Sequence, residues 1–215
     1  MTHSDRTPAA RTVLPEFHER TPQGVRRLDP WSKLLEGRIV LLGTAVDDIA
    51  VGDVITQLLQ LEYAAPERDI SLYINAPGGS LDAVMAIHDT LQAITCTVET
   101  VCVGQVAGAA ALLLAAGAPG RRLMLPTARI TLRQPSLAEP LHGQPSDLEI
   151  HTAELLRQRG TFTALLARYT GRDPERVTAE LERPRHLTAA QALEYGLVDQ
   201  VIRTRGAGAR GAASA

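Results

Sequence analysis

Two glycine-centred segments hold the positions at which this sequence is expected to carry its chemistry. In the first, a β-branched run at Val98–Val103 leads through Gly104-Gln105 into a stretch of alanine and leucine that ends near Ala118. The junction between a strand and a helix in an α/β protein is a favoured place for a nucleophile, because strand ends and helix N-termini converge there. This junction carries Gly108 between two alanines, so it offers no side chain that could attack a substrate.

The second segment is the loop Ala76-Pro77-Gly78-Gly79, which Ser80 follows. The loop is not a phosphate-binding loop, because no lysine and no Ser/Thr follow at the required spacing. Ser80 is expected to cap a helix rather than to act as a nucleophile. His88 lies eight residues further on, about 12 Å along a helix, so a Ser80–His88 catalytic pair is not expected.

The remaining hydroxyl and imidazole groups give only weak support for a relocated catalytic pair. Two histidines and three hydroxyl residues are candidates for it: His142, His151, Ser136, Ser146 and Thr131. The other histidines are expected to be solvated: His3, His18 and His186. No spacing of His, Cys, Asp or Glu is typical of a metal site, and the sequence predicts no metal and no cofactor.

Strands and helices must alternate along the chain to position these residues. Strands are predicted at residues 38–42, 70–75, 98–103, 122–125, 128–132 and 197–202. Helices are predicted around 31–35, at 47–63, after Ser80, in the alanine-leucine stretch, and at 146–169, 174–181 and 188–195. The alanine-leucine helix is apolar on every side, which predicts that it is buried in the core. This alternation is typical of an α/β domain with crossover connections.

Composition limits the classes of protein to which the chain can belong. With 215 residues and 45% apolar residues, one domain at residues 28–203 is expected, between a flexible arm at 1–27 and a disordered tail at 204–215. The formal charge is 22 − 24 = −2, which gives no electrostatic signature of binding to nucleic acid or to an anionic membrane. Cys96 and Cys102 are expected to be inert thiols in the core of a cytoplasmic protein without a membrane span.

Six segments resemble the proteolytic subunit of the Clp ATP-dependent protease, ClpP. They are LLGTAVDD, DISLYINAPGGS, CVGQVAGAAALLLAAGA, ARITLRQP, DLEIH and LTAAQALEYGLVDQVI, in one order between about Leu28 and Ile202. The resemblance implies the ClpP/crotonase fold, a spiral of ββα units with a protruding handle helix. It also implies heptameric rings that stack in pairs and a surface on which AAA+ unfoldases dock.

The resemblance implies a Ser-His-Asp triad, and this chain departs from it at all three positions. The family's serine falls on Gly108, its histidine on Arg133 and its aspartate on Pro184. Glycine has no nucleophile, a guanidinium keeps its proton and cannot act as a base, and proline has no carboxylate. The family's oxyanion hole uses backbone N–H groups, which here belong to Gly78 or Gly79 and to Ala109. This hole is therefore expected to persist without the triad.

A second departure from the family lies at residues 136–143, where the chain is about two residues longer and adds Pro140. In the family this segment contributes to contact between rings, so stacking of two identical rings is in doubt. We therefore expect a catalytically inactive ClpP-like subunit, which forms rings with itself or with an active paralogue. An active peptidase with a relocated nucleophile, a crotonase-like enzyme that uses only the oxyanion hole, and a scaffold unconnected with proteolysis remain as alternatives.

Overall fold

The structure, a computed structural model, describes residues 16–21, 24–135 and 143–202. The chain divides after Gly37 into two compact units, each of which is described by itself.

The first unit contains a hairpin and a short helix. Strands β1 (Phe17–Thr21) and β2 (Gly24–Leu28) pair in antiparallel fashion, and helix α1 spans Pro30–Glu36. Asp29 caps α1, since its carboxylate accepts hydrogen bonds from the backbone N–H groups of Trp31 and Ser32, at 2.8 and 3.0 Å. The helix was predicted, but the strands were not, because polar residues dominate this segment and leave no clear alternation. The described part of residues 1–27 therefore contains paired strands where the sequence predicted none.

The second unit is built on a seven-stranded, mostly parallel sheet. Strands β3, β4, β5, β6 and β9 are hydrogen-bonded in that order and are all parallel. Strand β7 is parallel to the end of β5, and β8 pairs antiparallel with β7. Their bounds are Ile39–Leu42 (β3), Ile70–Ala76 (β4), Val98–Ala107 (β5), Arg122–Met124 (β6), Arg129–Leu132 (β7), Arg185–Thr188 (β8) and Gln200–Val201 (β9). The predicted α/β class is confirmed, although β8 was not predicted and β9 is shorter than expected.

Strand β5 continues through the glycine at which a turn was predicted. Gly104 has a φ of +69°, but it forms a bulge within the strand, across which the pairing with β4 shifts register. The amide oxygen of Asn75 accepts a hydrogen bond from the backbone N–H of Gln105 at 3.1 Å and so fills the gap. The prediction of a turn at Gly104-Gln105 was therefore wrong. The strand ends at Ala107, directly before Gly108.

The alanine-leucine segment is buried on all sides, as predicted, but it is less helical than expected. A single 3₁₀ turn at Gly108–Ala110 leads into helix α4 (Ala111–Ala115), and all of these residues are buried. The hydroxyl of Thr100 donates a hydrogen bond of 2.7 Å to the carbonyl of Leu114, which ties α4 to β5.

The other helices begin and end near the predicted residues, because their capping residues are local in the sequence. They are α2 (Asp48–Ala64), α3 (Leu81–Ala93), α5 (Pro145–Thr170), α6 (Pro174–Leu181) and α7 (Ala189–Tyr195). Asp47, Ser80 and Thr188 cap the N-termini of α2, α3 and α7. Gly171 and Gly196 end α5 and α7 in the left-handed conformation. In the described part of the chain, no helix is long and apolar enough to cross a membrane.

Candidate functional site

The candidate site lies at the carboxyl edge of the parallel sheet. Strands β3, β4, β5 and β7 all end at this edge, because they run in the same direction. The residues that follow these strand ends include Val46, Gly78, Gly108 and Arg133. Binding and catalytic groups in open α/β sheets gather at this edge.

The loop at Gly78 and Gly79 has a conformation that favours glycine at both positions. Their φ angles are +142° and +155°, and a Cβ on Gly79 would lie 2.4 Å from the carbonyl oxygen of Val46. The loop is joined to the segment after β3 by two backbone hydrogen bonds of 2.9 Å, from Val46 N–H to Gly78 O and from Ser80 N–H to Val46 O. These bonds use neither glycine N–H group, and no described residue accepts a hydrogen bond from them.

Arg133 connects the loop with the end of β5. A Cβ on Gly108 would lie 3.1 Å from Nε of Arg133, and one on Gly78 would lie 3.1 Å from its Nη2. The arginine side chain therefore lies over both glycines and would have to shift by a few tenths of an ångström to admit a side chain at position 108. Gly108 itself is buried and has a φ of +57°. Ala109, the other expected oxyanion-hole residue, lies buried in the 3₁₀ turn beside it.

Pro184 and Arg133 both lie one residue beyond the end of the β7–β8 ladder. In the antiparallel pair β7–β8, Leu132 is opposite Arg185, so one further step in the same register places Pro184 opposite Arg133. The backbone N–H of Gln134 donates a hydrogen bond of 3.2 Å to Leu181 O, which keeps the two chains together beyond the ladder. All three positions singled out by the resemblance thus lie at one end of the sheet, and Gly108 is in direct contact with Arg133.

A groove of about 560 Å³ opens beside Arg133. Its walls come from the segment after β3, the loop at Gly79 and Ser80, the residues after β7, and one side of α5. The charged residues that line it are Asp47, Asp48, Asp82 and Arg133. A volume of this size is typical of ligand pockets, which range over about 300–1,000 Å³.

Ser80 and His88 do not form a pair, as predicted. His88 is buried, with Nδ1 2.9 Å from the carboxylate of Asp89 and Nε2 2.8 Å from the hydroxyl of Tyr169. The Ser80 hydroxyl accepts a hydrogen bond from Ala83 N–H as a helix cap. Both groups therefore have structural roles.

A hydroxyl–imidazole contact that the sequence did not predict joins β7 to β8. Oγ1 of Thr131 lies 2.9 Å from Nδ1 of His186, its cross-strand neighbour. His186 was expected to be solvated, and it is exposed but also hydrogen-bonded. The sequence did not predict β8, and without β8 this pairing was not foreseeable. Ser146 and His151 lie on α5, whereas Ser136 and His142 lie outside the described residues.

The two cysteines are buried and free, as predicted. Burial raises the pKa of the Cys102 thiol to about 12 and also raises that of Cys96, where the nearby Glu62 carboxylate adds to the effect. Because the thiolate is the reactive form, both side chains are poor nucleophiles.

Comparison with known proteins identifies the family. The Clp protease family model matches residues 22–205. An ATP-dependent Clp protease proteolytic subunit-like protein of Streptomyces coelicolor is 55% identical over 91% of this chain and 92% of its own length. Proteolytic subunit 2 of the same organism is 51% identical over 91% of this chain and 89% of its own length. Proteolytic subunit 1 of Corynebacterium efficiens is 48% identical over 94% of this chain and 97% of its own length. With its mixed α/β fold and mostly parallel sheet, the chain belongs to the Clp protease family.

Proposed function

We propose that the chain is a non-catalytic subunit of an ATP-dependent Clp protease complex. The observation that carries this proposal is the placement of Arg133, whose guanidinium covers Gly108. Acyl transfer by a serine protease needs a nucleophile that is hydrogen-bonded to a base. Here the residue at the nucleophile position has no side chain, and the group beside it can only donate hydrogen bonds.

The third family position strengthens the proposal. Pro184, at the end of the β7–β8 ladder, has neither a carboxylate nor a backbone N–H that could orient a base. The backbone of Gly78, Gly79 and Ala109 is the remaining part of the expected oxyanion hole. In serine proteases, such remnants retain only about 10³-fold catalysis over water once the triad is removed.

The names of the relatives support a role within a larger assembly. Two of them are proteolytic subunits of an ATP-dependent Clp protease, and Streptomyces coelicolor has both such a subunit and a subunit-like protein. We expect this chain to enter heptameric rings in the cytoplasm, with itself or with an active paralogue. It would contribute to ring assembly, to the docking of an AAA+ unfoldase or to the regulation of degradation.

The test is a tagged pull-down from the native cells, followed by native mass spectrometry of the eluate. Co-elution with a serine-bearing paralogue in one large ring complex is the expected result. The purified chain alone should release no product from fluorogenic peptides above the background of a heat-inactivated sample. Recovery of the chain by itself, as a heptamer or smaller, would contradict a mixed ring and would favour a free-standing scaffold or a relocated active site.

A relocated active site is the second candidate, because Thr131 and His186 form a hydroxyl–imidazole contact of 2.9 Å. A hydroxyl hydrogen-bonded to an imidazole is the arrangement of a nucleophile and its base, without the third group that orients the base. A fluorophosphonate probe and the fluorogenic peptides would be applied to the wild type, to Thr131→Val and to His186→Ala. Labelling or turnover that both variants abolish would establish the relocated site and reject the non-catalytic role. Turnover that survives in both variants without labelling would favour a crotonase-like use of the oxyanion hole.

A further inference from the structure

Arg133 is a cation without a partner in the described part of the chain. Its guanidinium has five N–H donors, yet no carboxylate or carbonyl of residues 16–21, 24–135 or 143–202 accepts a hydrogen bond from it. Its side chain is exposed to solvent and lines the groove of about 560 Å³.

Further donors lie on the same side of the site. Gly78, which Arg133 covers with Nη2, and its neighbour Gly79 have backbone N–H groups that no described residue engages. The planar guanidinium of Arg133 matches the geometry of a carboxylate, which accepts two parallel hydrogen bonds from the guanidinium fork.

The rest of the groove has the opposite charge. Asp47, Asp48 and Asp82 line it, and none of them forms an ion pair with Arg133. One oxygen of Asp47 accepts the N–H of Ala50 and one of Asp82 accepts an amide N–H of Gln158, so these carboxylates are held in place. Such a lining disfavours a dianion such as phosphate and favours a ligand with one anionic and one cationic group.

From this arrangement we infer that the groove binds a peptide carboxylate. Arg133 anchors the carboxylate, and the three aspartates face a cationic group a few residues earlier in the ligand. The inference rests on the proposed non-catalytic role, since an active hydrolase would cleave a peptide placed there. In this role the former active site becomes a binding site for peptides that carry a carboxylate, either at the C-terminus or on an Asp or Glu side chain.

Isothermal titration of the full-length purified chain at low salt tests the inference with three synthetic tetrapeptides. Lys-Ala-Ala-Leu with a free C-terminus carries a terminal carboxylate, and its C-terminal amide carries none. Lys-Ala-Glu-Leu amide carries a side-chain carboxylate only. We expect the plain amide to bind at least about tenfold more weakly than the free acid, because a charge-assisted pair is lost. The third peptide identifies the source of the carboxylate, and binding comparable to the free acid would extend the site to acidic side chains.

Variants assign the effect to Arg133. Arg133→Gln should weaken binding of the free acid by about tenfold or more, and Arg133→Lys should have a smaller effect, because lysine keeps the charge but lacks the fork. The matched control is Arg129→Gln. Arg129 is an exposed arginine of β7, the strand that Arg133 follows, and it donates a hydrogen bond to Gln105, so its replacement should leave binding unchanged. Circular dichroism of each variant verifies that it is folded.

Several results would overturn the inference: equal binding of acid and amide, wild-type affinity in Arg133→Gln, or no binding heat at millimolar peptide. Mass spectrometry of the peptide after each titration separates the two proposals. Hydrolysed peptide would reject the non-catalytic role, whereas intact peptide without Arg133-dependent binding would reject only the carboxylate site.

Discussion

The two edges of the parallel sheet use arginine in opposite ways. At the amino edge, Arg38 precedes β3 and Arg122 begins β6, and the guanidinium groups of both are hydrogen-bonded within the protein. At the carboxyl edge, Arg133 follows β7 and has no partner among the described residues. The same type of side chain is therefore engaged within the fold at one edge and has no partner among the described residues at the other.

The amino-edge arginines bind several segments at once. Arg38 is 5% exposed and donates to the carbonyls of Leu61, Arg68 and Asp69 at 2.9–3.0 Å. Arg122 pairs with the carboxylate of Asp199 through Nε at 2.9 Å and Nη2 at 2.5 Å. Its Nη1 donates to the carbonyls at the ends of α5 and α7, those of Tyr169 and Gly196. Fully engaged donors of this kind indicate a structural role.

The interactions of Arg122 with the Asp199 carboxylate and with the carbonyls of Tyr169 and Gly196 are called the Arg122 clamp. Removing this clamp is expected to have the largest effect on stability. Arg122→Leu leaves the partly buried Asp199 carboxylate without its cation and two helix-end carbonyls without a donor. We expect a loss of about 3–4 kcal/mol in the free energy of unfolding. Urea denaturation measures it. The matched control is Arg121→Leu, because the neighbouring Arg121 forms an exposed ion pair with Asp69. Its replacement should lower the free energy of unfolding by less than about 1 kcal/mol. Similar losses in both variants would remove the distinction between clamp and surface pair.

A smaller loss is expected when Arg38 is replaced. Arg38→Met keeps the length of the buried side chain but deprives three backbone carbonyls of their donor, which should cost about 2 kcal/mol. Arg68→Met is the control, since the exposed Arg68 contributes only its backbone carbonyl to this cluster. A free energy of unfolding that is unchanged in Arg38→Met would show that the carbonyls are satisfied in another way.

The Arg122 clamp should also make stability depend on pH. The hydrogen bonds from Arg122 lower the pKa of Asp199 below its ordinary value of 3.8. At a pH above the pKa of Asp199 in the unfolded state, this pair therefore stabilises the folded state. Its contribution is lost as the pH falls through the lowered pKa of the folded state. Asp199→Asn should reduce the steepness of acid unfolding when urea midpoints are compared at neutral pH and below pH 3.8. If the stability of Asp199→Asn falls with pH as steeply as that of the wild type, the acid dependence comes from other groups.

The smallest effect on stability is expected at the carboxyl edge. Arg133→Gln should change the free energy of unfolding by less than about 0.5 kcal/mol, because the side chain is exposed and no described residue depends on it. The same urea experiment checks this value. A loss comparable to that of Arg38→Met would mean that Arg133 stabilises the fold, and the contrast between the two edges would fail.

The sequence predicts those elements whose signals are local. Asp47, Ser80 and Thr188 cap helices that begin within a residue or two of prediction, and Gly171 and Gly196 end two of them. The continuation of β5 was missed because Gly104 resembles a turn residue, whereas its bulge depends on Asn75 of the adjacent strand. Strand β8 was missed because four residues with one buried side chain give too little periodicity.

The candidate site could be predicted only in part. The resemblance to the family identifies Gly108, Arg133 and Pro184 as positions without triad chemistry. This identification needs only the sequence. The contact of Arg133 with Gly78 and Gly108 could not be read from the sequence, since it joins the ends of three strands. The acidic lining of the groove was equally hidden, because its aspartates follow two different strands and nothing in the sequence indicates that they share a groove.

The conformation of Gly108 determines what a serine at this position would cost the fold. A serine at this position would have to adopt a φ near +57°, which costs a residue with a side chain about 1–2 kcal/mol. Its Cβ would also lie 3.1 Å from Nε of Arg133, so the arginine would have to move. A single substitution would therefore bring strain and crowding without a base to activate the new hydroxyl.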